Sequence, residues 1–362
     1  MSPPALCICY PVIPYPAMFS LRNLLIGLTS LAVILGGTLL LRAESTDAID
    51  PSLPLSDSPY VLGDAIADYA DFMMSGGPPP DGIPSIDEPV FIDADAADLD
   101  DGDMVIGYEH NGDARAYPQL IMVHHEIVND EVGGFNVAIT YCPLTATSQG
   151  FARGETTLGV SGQLLNSNLV MFDRDTESYF SQINATGLTG AHAGETLDEV
   201  NLIWTTWGEW KATHPSTQVL SDDTGHLRNY NNDPYGDYNP AGGYYTSQNV
   251  MFPLMHESNA HHTKEMIVGA RTADESVYAV METLAEERVQ QSDGFVAVYD
   301  QQLDTGYIYA TESPDAVSAN DDGSYTLDGA SYAADALPFD KLVSVEAFHF
   351  AWHAFYPEST EM

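Results

Sequence analysis

The feature of the sequence that most constrains the fold is an internal repeat. The stretch MVIGYEHNGDARAYPQLIM, which begins at Met104, aligns with MIVGARTADESVYAVMETL, which begins at Met266. In each stretch, apolar and polar residues alternate on both sides of a turn, and the apolar spacing then changes to that of a helix. Each stretch therefore predicts a β-hairpin that leads into a helix.

Further segments recur in the same order along the chain. GFNVAITYCPLTATSQGFAR, from Gly134, aligns with GFVAVYDQQLDTGYIYAT further along, and both alternate around a turn as paired strands do. The segment from Gly190 aligns with the segment from Gly329, and this alignment pairs Trp210 with Trp352. We predict an α+β, β-rich fold with internally duplicated hairpin–helix–hairpin units that form one large domain or two packed subdomains.

The two copies differ in content. The second copy has no counterpart of TTLGVSGQLLNSNLVMFDRD, and it has Asp300 where the first copy has Cys142. Segments unique to one copy tend to lie over the working face, so we expect the chemistry in the first copy. The predicted organisation is a leader at 1–42, a linker with a short helix at 43–90, a first repeat with the site at 91–240, and a shorter second repeat at 241–362.

The leader contains an apolar run. Leu24 to Leu41 form 18 uncharged residues, with Arg22 before them and Arg42 after them. Such a run is typical of a signal peptide or a signal anchor, and the lack of a convincing cleavage site favours an uncleaved anchor. We expect the N-terminus to lie in the membrane and the rest of the protein to be extracytoplasmic; secretion is the alternative.

The charge balance narrows the choice of partners. The chain has 53 acidic and 11 basic residues among 362, with a net charge of −42, yet 44% of its residues are hydrophobic. So much apolar content predicts a folded protein with an acidic coat, which is typical of a halophilic protein because salt screens the self-repulsion. Nucleic acid is excluded as a partner by this charge.

The first predicted helix carries two histidines. With Pro118 at its start, a period of 3.6 residues puts His124 on the apolar face, and it puts His125 and Asn129 together on the opposite face. His124 is expected to be a core residue. His125 and Asn129 are four residues apart and are expected to address one point; the alternative is an ordinary solvated face.

Cys142 follows the helix, at the end of an apolar strand. Such a cysteine is either buried and inert or, next to His125, a nucleophile or metal ligand with a lowered pKa. The loop MFPLMHESNAHHTKE adds His262. Cys142, His125 and His262 are the candidate metal ligands, and copper or zinc would suit them. The alternative for this loop is a polar segment with methionines packed beneath it.

Several motifs together resemble a known family. ARAYP, HEIVND, TYCPL, GVSGQLLNSNLVMFDRDTES, HHTKEMIVG and FAWHAFYPEST occur in this order. They resemble the uncharacterised family called domain of unknown function 3179 over about 104–360. The resemblance implies a set of motif residues and no established reaction. The chain departs from it at Thr145, where many relatives resemble CPLC, and at Phe180, where many carry Trp.

The candidate site residues follow from this resemblance. The motifs that carry the resemblance contain the candidate catalytic residues Cys142, His125, Glu126 and Asn129. They also contain the candidate ligand-binding residues Ser161, Asp173, Arg174, Ser178 and Gln182. Arg153 is added because arginine is scarce in this acidic chain, so Arg153 and Arg174 are each expected to meet a carboxylate or an anionic ligand inside the fold.

The sequence leaves three classes of function open. The first is an extracytoplasmic enzyme or redox protein centred on Cys142 and His125. The second is a copper or zinc protein that uses Cys142 with histidines. The third is a non-catalytic module, structural or for ligand binding, whose motif residues hold a polar core. Across these three classes, the expected partner is a small molecule or a metal ion.

Overall fold

A computed structural model describes residues 53–56 and 64–362 of the chain. The predicted leader, 1–42, lies outside the described residues. The described helices are short: α1 Asp64–Phe72, α2 Gln119–His125, α3 Trp207–Thr213, α4 Met281–Glu287 and α5 His349–Phe355. Within this part of the chain, no helix is long and apolar enough to cross a membrane.

Strands make up most of the regular structure. Strands β1 to β10 are Leu55–Ser56, Met74–Ser75, Phe91–Asp93, Met104–His110, Asp113–Pro118, Ile127–Val132, Phe135–Cys142, Thr147–Ala152, Leu158–Leu165 and Asn168–Asp173. Strands β11 to β20 are Tyr179–Ser181, Gly187–Thr189, Thr196–Leu197, Glu199–Val200, Ile203–Thr206, Gln218–Leu220, Gly236–Tyr238, Ala241–Gly243, Met266–Arg271 and Ser276–Val280. Strands β21 to β29 are Val289–Ser292, Phe295–Asp300, Thr305–Ala310, Ser318–Ala319, Tyr325–Leu327, Ala330–Tyr332, Asp340–Lys341, Val345–Phe348 and Thr360–Glu361. The predicted α+β, β-rich class is confirmed.

Four sheets organise the two halves of the described chain. The first half has sheets in the orders β15-β4-β5-β16-β3 and β14-β8-β7-β6. The second half has the orders β28-β19-β20-β29 and β21-β22-β23-β27. In each half, the strand after the last helix runs parallel to the second strand of the hairpin. A further sheet has the order β12-β11-β10-β9-β2, and its strands β9 and β10 form the segment that is absent from the second predicted copy.

A tryptophan fastens the last helix of each half to its hairpin. A Cβ on Gly107 would lie 2.3 Å from the ring of Trp210, and a Cβ on Gly269 would lie 2.6 Å from the ring of Trp352. The indole of Trp210 donates a hydrogen bond to Thr217. Only glycine leaves room for the indole here, so these two contacts fix how closely each helix approaches its sheet.

Helix α2 is shorter than the sequence period predicts. It ends at His125, because Glu126 adopts a left-handed conformation with φ of 60°, and strand β6 begins at the next residue. His125 is therefore fully buried, and His124 is half-buried. The prediction that His125 and Asn129 share one helix face was wrong, because Asn129 lies on strand β6 and not on the helix.

The main apolar cluster draws on both halves. It contains Cys142, Phe180 and Tyr244 together with Ile267 and Trp352, all of them buried. All described residues also belong to one compact unit. The candidate site residues of the first half therefore lie against a core that the second half helps to build.

Candidate functional site

Cys142 is enclosed by protein. It is the last residue of β7, pairs with Thr147 of β8, and is 2% exposed. Its Sγ donates to the carbonyl of Ser167 at 3.8 Å. Its own carbonyl accepts from the amide of Thr145 at 3.3 Å, which closes a tight turn. The thiol is therefore held inside the fold and not at an open loop edge.

The surroundings of Cys142 favour the neutral thiol. Burial, followed by the negative charge of Glu126, raises the pKa of Cys142 to about 12. At neutral pH the sulfur then keeps its proton, and a thiol is a far weaker nucleophile or metal ligand than a thiolate. The lowered pKa that a neighbouring histidine would cause is not found.

Glu126 is an ionisable neighbour of Cys142. Burial raises the pKa of its carboxyl to about 8. Among the described residues, none donates a hydrogen bond to this half-buried carboxylate, while its amide donates to Met122 and its carbonyl accepts from Tyr141. Burial and the charges of Glu126 and Cys142 also raise the pKa of Tyr235 to about 12. Cys142 thus has a carboxyl and a tyrosine beside it.

His125 is engaged elsewhere. Its Nδ1 donates to the carbonyl of Pro84 at 2.7 Å, so its Nε2 accepts from the hydroxyl of Tyr230 at 2.6 Å. Burial is the main reason that the pKa of His125 is lowered to about 4, and the nearby His226 lowers it further. Both ring nitrogens are occupied, and no hydrogen bond joins His125 to Cys142 in the described part of the chain.

Asn129 and Arg174 meet at one carboxylate. The side chain of Asn129 donates to Asp87 at 2.7 Å, and Arg174 bonds the same oxygen at 3.2 Å. Arg174 also forms an ion pair with Asp81 at 2.8 Å. Arg174 meets carboxylates as expected, but Asp81 and Asp87 are exposed, so these ion pairs lie at the surface and not inside the fold. The contacts tie the segment before β3 to the end of β10.

The remaining predicted ligand-binding residues support turns and strands. Asp173 accepts hydrogen bonds from the amides of Thr176 and Ser178 at 2.7 and 3.1 Å, which closes the turn after β10. The hydroxyl of Ser161 donates to the carbonyl of Val170 on the adjacent strand. Arg153 donates to backbone carbonyls, including that of Thr156 at 2.8 Å. In the contacts described, these side chains do not converge on a common point.

Gln182 belongs to a buried amide and hydroxyl network. Its amide donates to Thr140 at 2.8 Å and accepts from Asn168 at 2.7 Å and from Thr147 at 2.8 Å. Asn168 also donates to Thr145 at 3.0 Å. Sequence reasoning missed Asn168, although it lies in the quoted motif GVSGQLLNSNLVMFDRDTES. These side chains satisfy one another's hydrogen-bond donors and acceptors, so the network fixes how this part of the core packs.

The three predicted metal ligands are not assembled. Nδ1 of His262 accepts from the amide of Lys264 at 3.0 Å, while Cys142 and His125 have the separate partners given above. In the part of the chain that the structure describes, no group of three His, Cys, Asp or Glu side chains is placed to hold a metal ion. The neighbouring Lys264 ammonium packs 3.9 Å from the centroid of the Tyr244 ring and donates to the carbonyl of Asn249.

A wide cleft lies elsewhere, and sequence reasoning did not predict it. Its volume is about 620 Å³, and residues from 107–109 and 201–214 on one side meet residues from 300–341 on the other. Trp210 and His214, whose ring centroids lie 4.0 Å apart with the rings tilted by 32°, line the first side. Tyr307 and Lys341 line the second. The one signal in the sequence was Asp300, which replaces Cys142 in the second predicted copy and also lines this cleft.

The cleft joins aromatic surface to carboxylates. Asp300 accepts hydrogen bonds from the amides of Gln302 and Leu303 at 2.8 and 3.3 Å. Burial, with a contribution from the charge of Asp335, raises its pKa. The Lys341 ammonium lies 5.3 Å from the centroid of the Tyr307 ring. The lining of the cleft thus combines aromatic side chains with fixed polar groups, and both kinds of group occur in ligand sites.

The motif residues and the cleft lie within one recognised region. The family profile described as "protein of unknown function (DUF3179)" matches residues 80–359. The chain belongs to the DUF3179 family. No match was found among curated proteins, and none among solved structures. The DUF3179 region includes Asp81 and Asp87, the partners of Arg174, and it includes both sides of the cleft.

Proposed function

We propose that this protein is a ligand-binding module whose ligand sits in the 620 Å³ cleft. The observation that carries the proposal is the combination of this volume with an aromatic and carboxylate lining. The predicted catalytic residues argue for the same reading, because His125 and Cys142 are buried and are satisfied by separate partners. Both sides of the cleft contribute side chains, so a ligand would bridge them.

A filled cleft tests this proposal. Ser331 is exposed and lines the cleft, so Ser331→Trp places an indole inside it. Ser318 lies at the opposite edge of the same three-stranded sheet, so Ser318→Trp is the matched control. We expect compounds in a thermal-shift screen of small metabolites to stabilise the wild type and the control but not Ser331→Trp. A screen without stabilising compounds, or with equal stabilisation of all three proteins, contradicts the proposal.

A second candidate function rests on Glu126 and Cys142. The Glu126 carboxyl lies beside the Cys142 thiol, has a pKa of about 8, and receives no hydrogen bond from the described residues. Such a carboxyl is suited to proton transfer near neutral pH. Under this hypothesis, native protein reacts with a small alkylating reagent, and Cys142→Ser folds but loses activity. If the thiol reacts only after unfolding, this candidate and the predicted thiol and metal functions are all rejected.

We also propose that the two halves arose by duplication. The support is the equal order of strands and helices in the two halves, the equivalent packing of Trp210 and Trp352, and the left-handed residue that ends α2 and α4, Glu126 and Arg288. Superposing 104–220 on 266–360 tests it. Backbones that diverge beyond the first hairpin would contradict a common origin.

We propose that the N-terminal run keeps the protein at the membrane with its folded part extracytoplasmic. The support is the apolar run from Leu24 to Leu41 between arginines. Fractionation of cells should find the protein with membranes and accessible to protease added outside. A cytosolic, protease-protected protein would contradict this location.

The acidic coat supports a halophilic origin, so unfolding should occur at lower temperature as salt is removed.

A further inference from the structure

We propose that the cleft takes a small organic cation, with an ammonium group that sits against the Tyr307 ring. This inference deepens the proposed function and rests on it. Its basis is that the chain already places an ammonium group of its own in this position. The charges around the cleft and the size of the space also favour an organic cation.

Lys341 provides an internal example of the ligand. It is exposed on β27, a two-residue strand, and its side chain could extend into solvent. Instead its Nζ lies 5.3 Å from the centroid of the Tyr307 ring and donates to the carbonyl of Asp335 at 3.2 Å. An ammonium within about 6 Å of a ring centroid is attracted by the electron-rich face of the ring. The side chain therefore marks a position where a cation is favoured.

The charges around the cleft also favour a cation. Four carboxylates belong to its lining: Glu109, Asp300, Asp322 and Asp335. The lining holds two basic side chains, Lys341 and His214. Burial lowers the pKa of His214 despite the nearby Glu109, so this ring is neutral at neutral pH. An anionic ligand would face carboxylates with one ammonium to offset them, whereas a cation would meet both the carboxylates and the ring.

The Tyr307 ring is the point where these features converge. Burial raises the pKa of its hydroxyl, and the charges of Asp300 and Asp335 raise it further, so both carboxylates lie near this side chain. The hydroxyl stays protonated, and the ring keeps its neutral aromatic face. The volume of 620 Å³ is far larger than a metal ion needs and is in the range of small-molecule sites. An organic ammonium compound suits both the space and the ring.

The Lys341 ammonium would compete with a ligand ammonium for the face of the Tyr307 ring. Tyr307 is only 5% exposed, so a ligand ammonium that reaches the face of its ring must displace the Lys341 ammonium. Removal of that ammonium should therefore strengthen binding of an added cation. The experiment below uses this prediction because a merely structural lysine would not produce it.

The test compares choline with its uncharged isostere, 3,3-dimethylbutan-1-ol. Binding to the full folded protein is measured by calorimetric titration in one buffer. We expect choline to bind and the neutral isostere to bind at least tenfold more weakly. Lys341→Met should bind choline about 2- to 30-fold more tightly, which is the affinity range that one cation–π contact supplies. Asp300→Asn should bind it more weakly.

A matched control is available in the same chain. The Lys211 ammonium lies 5.5 Å from the centroid of the Trp207 ring and bonds Asp95, outside the cleft. Lys211→Met should leave choline binding unchanged. Equal binding of the two isosteres, or no change with Lys341→Met, overturns the cation inference while the cleft proposal stands. If Ser331→Trp also fails to block any stabilising compound, the cleft proposal itself is rejected.

Discussion

Replacement of Glu126 by glutamine should stabilise the protein relative to the wild type, and the gain should be larger at alkaline pH than at acidic pH. The pKa of Glu126 is raised from its ordinary 4.5 to about 8, mainly by burial. Between these two values the folded protein keeps a proton that the unfolded chain has lost. Folding stability therefore falls as pH rises through this window. Glu126→Gln removes the effect because its amide stays neutral.

The magnitude follows from the size of the shift. Each pH unit corresponds to about 1.4 kcal/mol, so the full shift sets an upper limit of roughly 5 kcal/mol. The Glu126 carboxyl is half-buried, and water screens part of this penalty. We therefore expect Glu126→Gln to exceed the wild type in unfolding free energy by about 2–3 kcal/mol near pH 8 and by less than about 1 kcal/mol near pH 5.

Denaturant unfolding, followed by tryptophan fluorescence in one salt concentration at both pH values, measures this difference. Glu131→Gln changes an exposed residue of the neighbouring strand β6 and serves as the control for loss of a charge from an acidic protein. If the two variants respond alike, the effect comes from net charge and not from the burial of Glu126. A Glu126→Gln protein less stable than the wild type near pH 8 would refute the reasoning.

Three further predictions concern packing, the Cys142 turn and salt. Gly107→Ala should lower the unfolding free energy by about 3 kcal/mol, because its Cβ would lie 2.3 Å from the Trp210 ring; a thermal melt that is unchanged would contradict the close approach. Thr145→Cys should form a disulfide with Cys142 after oxidation, because residues that close a tight turn have Cα atoms within about 7 Å; an intact mass without loss of two hydrogens would contradict it. Removal of salt should destabilise the acidic protein, and equal melting temperatures in low and high salt would argue against a salt requirement.

Local sequence patterns were enough to predict the fold class. Alternation and helical spacing depend on residues close in sequence, and they correctly predicted a β-rich α+β chain and the hairpins before α2 and α4. The faces of α2 could not be predicted in this way. The helix has only seven residues, and the left-handed Glu126 ends it before Asn129, which lies on β6. His125 and Asn129 therefore do not share the helix face on which the period places them.

The candidate site depended on contacts that sequence spacing does not contain. Asn168 reaches Gln182 and Thr145 across separate strands, and His125 finds Tyr230 more than a hundred residues away. The motif residues were therefore identified, but their roles were not. The cleft was missed because its two sides come from distant segments, and each segment alone resembles an ordinary acidic surface.

The position of the lysines has a consequence for work at the bench. The chain has three, and each ammonium lies against an aromatic ring: Lys211 on Trp207, Lys264 on Tyr244 and Lys341 in the cleft. Lys264 is buried, so amine-directed labels and surface coupling will modify the other two. If the protein is coupled to a sensor chip through its amines, some molecules will be attached through Lys341 and will have the linker inside the cleft. Attachment through a terminal tag leaves that space open to ligand.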